Sequence, residues 1–527
     1  MRGWMRGDIL DHLPQTFFGD PFTSIQEIGG EGIKESKWRR ADLFCLPNGR
    51  KIFLKRDKTK DWMEGLKYLF FPSKGKKEFL IASQLGKRNL NIPQPLGWME
   101  RTRKGWVSES YYLSEAIGTG LSFIEEVTKS KEPRSIIELA NTVKKFQDAG
   151  LFHQDLHGGN FLWDGDSLFL TDLHRAKIVK PLSLTQRLWN VSHLFHSLRS
   201  IWREEEQLQF LNHYFEGKID DSQKRGLLLQ KIYPVMGRLQ KRQWQSRTKR
   251  CLKESTEFTV QEEKGIRYFH RRDFPLERLK RVMAKHQERL RENPFSLIKH
   301  SPKVNVSLWE DEGERICLKQ FCYPTFWGWV KDRFRRSKGL KAWMGANGMR
   351  ARGFPSLKSL ALAEKRNWLG VKESFFFMEA PAEEQEMDRY ILKGFKDINL
   401  KRLFIKTFAR WLDRLHKMNL YHRDMKTCNV LISERGGGWD FHLLDFEDIR
   451  MNAEVNQKKL FRNFLQLNTS TPKVITRVDR FRFFSEYHRL NPIVKDRNSF
   501  LKELIDKSRQ RGLVYISPDG VVMETMG

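Results

Sequence analysis

Residues 150–160 read GLFHQDLHGGN, and residues 419–429 read NLYHRDMKTCN. Each segment places a His two residues before an Asp and an Asn five residues after it. The pairs Asp155/Asp424 and Asn160/Asn429 are each 269 positions apart. The same register extends far upstream. Lys55 of KIFLKR pairs with Lys319 of RICLKQ at an offset of 264, as do SKGKKEF (73–79) with SKGLKAW (337–343) and ESYYLSEA (109–116) with ESFFFMEA (373–380). Downstream the offset is 273, pairing Asp172 with Asp445 and Asn190 with Asn463. The growth in offset falls where loops absorb insertions, for instance at ERGGGW. Five segments in this order are two diverged copies of one domain, placed at 1–250 and 251–527. A chain of 527 residues is in any case too long for a single compact core.

Each copy has the same coarse pattern. ADLFCLPNGRKIFLKR reads as two strands around a Pro-Asn-Gly turn, with VSLWEDEGERICLKQF as its counterpart. A helix precedes each polar loop. Phe404, Phe408, Trp411, Leu415 and Met418 form one apolar stripe, and Ile136, Leu139, Val143 and Phe146 form another. After each loop, NFLWDGDSLFLTDL and NVLISERGGGWDFHLLDF read as hairpins that end in Asp. The expected class is therefore α+β: two tandem bilobal kinase-like domains, each with a β-rich small lobe and a helical large lobe.

Phosphoryl transfer needs phosphates held, magnesium coordinated and an acceptor hydroxyl oriented. Lys55 and Lys319 sit in apolar strand patterns, where a Lys is costly unless it meets an anion, and are assigned to the α/β-phosphates of ATP. Asp155 and Asp424 would accept or orient the hydroxyl proton. Asn160, Asp172, Asn429 and Asp445 supply the hard oxygen ligands that Mg2+ prefers. Helix capping or an Asx turn explains any one of these residues, but not the ordered set. A phosphate-covering loop is less evident. EIGGEG (27–32) departs from a glycine-rich fingerprint, and Ser36 of IKESKW and Ser301 of IKHSPK align better as covering residues.

One ion pair separates the copies. Glu78, 23 residues beyond Lys55, fits the helix Glu that holds a kinase lysine. The residue 23 beyond Lys319 is Ala342, and no acid lies between Lys338 and Arg352. Lys319 is then either poorly positioned or fixed by another carboxylate. By this test the first copy is the better-equipped catalyst, although its DLH departs from Asp-Phe-Gly; the second has DFE.

HRDMKTCN followed by LLDFED resembles the protein-kinase-like superfamily, and HQDLHGGN with TDLHRAK its small-molecule and sugar kinases. Taken with the SKG…KAW helix start, the KKLFRN segment and the opening hairpin at 256–275, the chain most resembles the bacterial lipopolysaccharide core (Kdo/heptose) kinases. The resemblance implies ATP- and Mg2+-dependent phosphorylation of an inner-core sugar hydroxyl at the cytoplasmic face of the inner membrane. Gln154 in place of Arg and the tandem arrangement depart from that pattern.

Charge and spacing bear on the competing readings. Lys plus Arg exceed Asp plus Glu by 96 − 65 = 31, which draws the chain to polyanions. No nucleic-acid module is recognisable, so no nucleic-acid partner is expected. Only 18 residues separate Asp172 from Asn190 and Asp445 from Asn463, too few for the peptide platform of a protein kinase. A non-enzymatic basic scaffold would not require the Asp/Asn/Asp trio in both halves. No apolar run approaches the ~18 residues of a spanning helix, and the start lacks a secretory core, so a cytoplasmic protein is expected. The five cysteines form no CxxC pair and read as reduced thiols. Aromatic-basic stretches, DWMEGLKYLFFPSKGKK and FCYPTFWGWVKDRFRRSKGLKAW, suit an anionic membrane interface and equally suit aromatics packed into the small lobe.

Overall fold

The computed structural model describes residues 1–118, 120–129, 133–179, 181–217, 222–323, 336–367, 370–380 and 385–526. The part of the second aromatic-basic stretch at 324–335 lies outside them. The chain divides into two compact units, Met1–Gln240 and Lys241–Gly527. In each, a six-stranded sheet is followed by a mainly helical region, an α+β arrangement.

In the first unit, β1 (Arg2–Met5), β2 (Glu31–Glu35), β3 (Arg39–Cys45), β4 (Lys51–Lys58), β5 (Pro95–Arg103) and β6 (Trp106–Glu115) form an antiparallel sheet in the order β1-β5-β6-β4-β3-β2. Helices α1 (Trp62–Phe70) and α2 (Lys74–Gly86) connect β4 to β5, and α3 (Pro133–Asp148) follows the sheet. In the second unit, β7 (Phe258–Glu263), β8 (Ile266–Arg271), β9 (Val304–Asp311), β10 (Glu314–Cys322), β11 (Ser359–Asn367) and β12 (Gly370–Glu379) take the order β7-β8-β11-β12-β10-β9. Leaving out the edge strands β2 and β7, the two orders coincide. Lys55 in β4 lies between Ala41 of β3 and Tyr112 of β6; Lys319 in β10 lies between Val306 of β9 and Phe376 of β12.

The two best-matched repeat segments touch each other in both units, which explains why both persist. The Ser73 hydroxyl caps α2 by accepting from Lys76 N–H at 3.4 Å, and Ser337 caps α4 (Lys338–Arg350) by accepting from Leu340 N–H at 2.9 Å. The glycine two residues on then lies against the central strand. Gly75 N–H donates to the Ser110 hydroxyl at 3.3 Å, and Gly339 N–H to the Ser374 hydroxyl at 3.2 Å. A Cβ at Gly75 would fall within 2.7 Å of the Tyr111 carbonyl carbon, and one at Gly339 within 2.7 Å of Ser374 Cβ. Only glycine lets the helix start rest on the sheet.

The apolar stripes form their helices as the spacing requires. Ile136, Leu139, Val143 and Phe146 are buried along α3. Phe404, Phe408 and Leu415 are buried along α5 (Ile398–Lys417), with Trp411 and Met418 packed at its margin. Asp397 caps α5, accepting from Asn399 and Leu400 N–H. Each helix leads into a short strand, Leu151–His153 or Leu420–His422, paired antiparallel with Ala176–Ile178 or Ile449–Met451. The expected hairpins follow at Phe161–Asp164/Ser167–Leu170 and Val430–Arg435/Gly438–Leu443. Among the described residues, no helix is long and apolar enough to cross a membrane.

Because the atoms met by a Gly75 side chain belong to the backbone of a central strand, Gly75→Ala should destabilise the chain by about 1–3 kcal/mol. A thermal or urea melt of the full chain would read this as a lowered midpoint, and Gly105→Ala, at a turn with open space around it, serves as the comparison for positive-φ strain alone.

Candidate active site

In the first unit the strand lysine is buried and meets carboxylates from two directions. Lys55 Nζ donates to Glu78 of α2 at 2.9 Å and to Asp172 Oδ1. Asp172 also accepts from His174 Nδ1 at 2.5 Å and lies 3.7 Å from the Arg39 guanidinium. Burial works against the Lys55 ammonium, but Glu78 and Asp172 outweigh it and hold its pKa above the usual lysine value. Burial likewise opposes the Asp172 carboxylate, yet His174 and Lys55 keep it well below the carboxylate range. Glu78 is pushed up by burial and by the Asp172 charge, against the pull of Lys55.

The second unit builds the same charge arrangement from different positions. Lys319 Nζ donates to Asp445 Oδ1 at 2.6 Å and to Glu447 Oε1 at 2.7 Å. Ala342, the counterpart of Glu78, is fully buried and carries no charge. Of the two alternatives for Lys319, the structure shows the second: another carboxylate fixes it, two residues beyond Asp445. Burial opposes the lysine charge, and Glu447 and Asp445 raise its pKa above the usual value. Asp445 is held below the carboxylate range chiefly by Lys319 despite its burial, while burial pushes Glu447 up. Small residues on α4 make room for this loop. A Cβ at Gly345 would fall on the Phe446 carbonyl, within 3.2 Å of its carbon and nearer still to its oxygen.

Both Asp172 and Asp445 adopt left-handed backbone conformations, with φ of 60° and 50°. For a non-glycine residue this is a strained geometry that its surroundings must impose. Buried histidines do part of that. His153 Nε2 contacts the Asp172 carbonyl at 3.1 Å, and His422 Nε2 contacts the Leu444 and Asp445 carbonyls at 3.2 and 3.3 Å. As the carbonyls are acceptors, each Nε2 carries the proton.

The polar loops are positioned with equal care. Asn160 Nδ2 donates to the Asp155 carbonyl at 3.1 Å, and Asn429 Nδ2 to the Asp424 carbonyl at 2.8 Å. Thr171 N–H donates to the Asn160 carbonyl and Leu444 N–H to the Asn429 carbonyl, so each Asn is tied to the residue preceding the Asp. Asn190 and Asn463 brace the loops from outside: Asn190 bonds both backbone groups of His153, and Asn463 Nδ2 donates to the His422 carbonyl at 2.8 Å. Asn463 in turn accepts from His416 Nε2, and His416 Nδ1 accepts from the Tyr487 hydroxyl at 2.7 Å. Gln466 adds a clamp, donating to the Arg423 carbonyl and accepting from Met425 N–H.

Ser36 and Ser301 occupy equivalent turns before β3 and β9. Each hydroxyl closes its own turn, Ser36 with Arg39 and Ser301 with Val304. No described contact joins either serine to the lysine and carboxylate cluster. The remaining assigned residues are brought together as Lys55, Glu78, Asp172 with Asp155 and Asn160, and as Lys319, Asp445 with Asp424 and Asn429. The oxygen donors Asn and Asp fit magnesium, and the lysine beside them fits a phosphate. In the first unit His174 adds a nitrogen donor within 4.8 Å of Glu78 and Asp172, a ligand better suited to transition metals.

The loops also differ in ways the motif alignment did not assign. Arg175 Nη1 contacts the Asp155 carboxylate at 2.8 Å in the first unit. In the second, Asp448 stands at the matching position and pairs with Arg423, where the first unit has Gln154. The visible signal was the pair two and three residues after Asp172 and Asp445, His-Arg in one copy and Glu-Asp in the other.

Comparison with known proteins adds a partial match. Residues 336–487 match the model of the lipopolysaccharide kinase (Kdo/WaaP) family. The matched residues all lie in the second unit, Lys241–Gly527. Among solved structures, one described as "WaaP in complex with acyl carrier protein" is 20% identical, over 45% of this chain and 99% of its own, with a TM-score of 0.33. That score lies below the level at which a shared fold is established. No curated protein sequence matches the chain. The matched segment contains α4, the loop from Asp424 to Asn429, and Asp445 with Glu447, but begins after Lys319.

Loss of Glu447 should leave Lys319 with Asp445 alone. Glu447→Ala is expected to weaken MgATP binding by the full chain about tenfold, roughly 1.4 kcal/mol, as measured by calorimetry on an Asp155→Ala, Lys55→Met background that silences the other site. A second outcome concerns acid. Burial lowers His153 and His416 to about 4. Between pH 6.5 and 4 the unfolded chain takes up protons that the folded histidines refuse, so stability present above pH 6.5 is lost on acidification. Each contributes up to roughly 3 kcal/mol by pH 4. Denaturant melts at pH 7.5 and pH 5 should show the loss, and His416→Gln should shrink the difference.

Proposed function

We propose that the chain is an ATP-dependent phosphotransferase that phosphorylates a sugar hydroxyl, heptose or Kdo, of the lipopolysaccharide inner core. ATP and Mg2+ are its cofactors, and the anionic inner-membrane surface is where it meets its acceptor. Each unit is read as one kinase-like domain. The observation that carries the reading is the Lys319–Asp445–Glu447 cluster beside Asp424 and Asn429, in a unit whose residues 336–487 match a lipopolysaccharide kinase family.

The chemistry follows from charge and reach. Bound MgATP supplies the phosphoryl group. Lys319 would hold its phosphates, and Asn429 with Asp445 would ligate the metal. Asp424, whose carboxylate is partly exposed and lies 3.1 Å from Lys426, would orient the acceptor hydroxyl and take its proton. The Asn463–Gln466 brace keeps that carboxylate in place without blocking its solvent face. A sugar hydroxyl suits the site better than a peptide. The next helix starts at Gln457, 457 − 445 = 12 residues after the Asp, and at Leu184 in the first unit, 184 − 172 = 12. Such a short connection holds no platform for an extended peptide.

The first copy's advantage was its helix Glu, and Glu447 removes it. In the first unit, His174 and Arg175 place donors on Asp172 and Asp155, the carboxylates needed for chemistry. In the second, Lys426 lies on Asp424, Glu447 shares Lys319 with Asp445, and Asp448, at the position of Arg175, pairs with Arg423. The second unit is assigned the main turnover. Arg175 and Asp155 are about half exposed, a pairing worth little in energy, so the first unit retains the capacity for weaker turnover.

Mass spectrometry of lipopolysaccharide core phosphate in cells carrying single variants tests this. Asp424→Ala should lower core phosphorylation at least 100-fold, and Asp155→Ala less than 10-fold. The sugar-kinase reading fails if the double variant leaves core phosphate unchanged; the division of labour fails if Asp155→Ala is the more damaging change.

A further inference from the structure

Helix α1 is built with its apolar side facing outward. At 100° per residue, Trp62, Met63, Leu66, Leu69 and Phe70 fall within an arc of about 120°. All five are exposed, Trp62 at 73% and Phe70 at 78%, and Phe71 just beyond the helix is 61% exposed. The inward residues are Glu64, Gly65 and Tyr68. Gly65 lies against the Trp106 ring, which a Cβ would approach to 3.2 Å. Glu64 accepts from Lys74 Nζ at 2.6 Å and from Lys60 N–H at 2.8 Å, and Tyr68 donates its hydroxyl proton to Glu64. A helix that buries a glutamate and a glycine while exposing a Trp, a Phe and two Leu is turned the opposite way from an ordinary surface helix. Of the aromatics at residues 62–71, Trp62, Phe70 and Phe71 are therefore not packed into the small lobe, and Tyr68 alone turns inward.

The charges around the stripe are basic. Lys60 and Lys67 are exposed beside it, Glu64 is already neutralised by Lys74, and Asp61 is occupied as the helix cap. On the neighbouring α2, burial first, and then the Lys67 and Lys177 charges, hold Lys77 below its ordinary value. A second copy of this chain would bring an equally basic rim, and the whole chain carries a net charge of +31.

We propose that α1 of the first unit is a membrane-docking helix: its Trp62–Phe71 stripe inserts into the interfacial layer of a bilayer whose anionic headgroups meet Lys60 and Lys67. Aromatic rings with flanking lysines match that layer in depth and charge. The assignment gives a physical site to the membrane contact in the functional reading, but rests on the helix itself and not on phosphotransfer.

The test is flotation of the purified full chain with vesicles of phosphatidylethanolamine and phosphatidylglycerol, against vesicles of phosphatidylcholine alone. The wild-type chain should float with the anionic vesicles. Leu66→Gln/Phe70→Gln should lower its partition coefficient at least about tenfold, with an unchanged melting curve because both residues are already exposed. Lys60→Glu/Lys67→Glu should lower binding to the anionic vesicles only. Phe295→Gln, which alters an 88% exposed ring in the second unit, should change nothing. Equal flotation of the Leu66/Phe70 variant, or no flotation of the wild-type chain, overturns the proposal. So does a shift in oligomeric state with lipid binding intact, which would mark a protein–protein surface. Turnover of deacylated core oligosaccharide, measured alongside, separates this outcome from failure of the kinase reading.

Discussion

A lysine on the central strand of each sheet is removed from water, and the charge must be answered where it lies. A buried ammonium without an anion costs several kcal/mol, so the position of Lys55 or Lys319 obliges carboxylates to converge on it. In both units one of them is the Asp that follows the hairpin, Asp172 or Asp445. The contact ties the sheet to the loop carrying that Asp, across 117 residues of chain in the first unit and 126 in the second. The helix start, the strained Asp and the braced polar loop are the scaffolding that brings those groups within reach. A nucleotide phosphate arriving at the lysine would compete for the same charge, releasing the Asp to a metal.

The second carboxylate shows how the same electrostatic demand is met from different sites in the chain. In the first unit it comes from α2, so the lysine is held only while that helix stays in place. In the second it comes from the loop itself, two residues beyond the Asp, and α4 contributes space instead of charge. Ala342 and Gly345 are small where α2 carries Glu78 and Ile81, and the Phe446 carbonyl comes to rest where a larger side chain would sit. Moving a charge from helix to loop thus required a matching reduction in side-chain volume on the helix. These changes support one another, which argues for a maintained site and against decay of an unused one.

Internal repetition made the lysines, the loop Asp and Asn residues and the hairpin Asp legible in the sequence, because each could be checked against its counterpart at a constant offset. It also located Asn190 and Asn463 without revealing their task, since hydrogen bonding to a backbone carbonyl leaves no trace in residue type. Glu447 was hidden for a different reason. The search for a lysine partner followed the helix position, where chemistry of this kind usually places it, and a carboxylate in DFE reads equally well as an exposed loop residue. The orientation of α1 was equally out of reach. Its aromatic-basic composition suited a membrane interface and core packing equally, and composition does not tell which side meets the protein. The deciding features were Gly65 against Trp106 and the Lys74 contact to Glu64, both set by tertiary packing.

The contrast between His174–Arg175 and Glu447–Asp448 bears on how two copies can share one chain. The residues two and three positions after Asp172 and Asp445 differ in kind between the units: His174 and Arg175 contact carboxylates in one, and Glu447 and Asp448 pair with bases in the other. Gln154 in the first unit is the change that makes Arg175 tolerable, because an arginine there would repel it instead of pairing with an Asp. The two loops thus meet the same backbone with different side-chain pairs, Gln154 with Arg175 in one and Arg423 with Asp448 in the other. Asp155 and Asp424 each meet a cation, Arg175 in one unit and Lys426 in the other, so the copies keep a similar charge balance while drawing it from different positions.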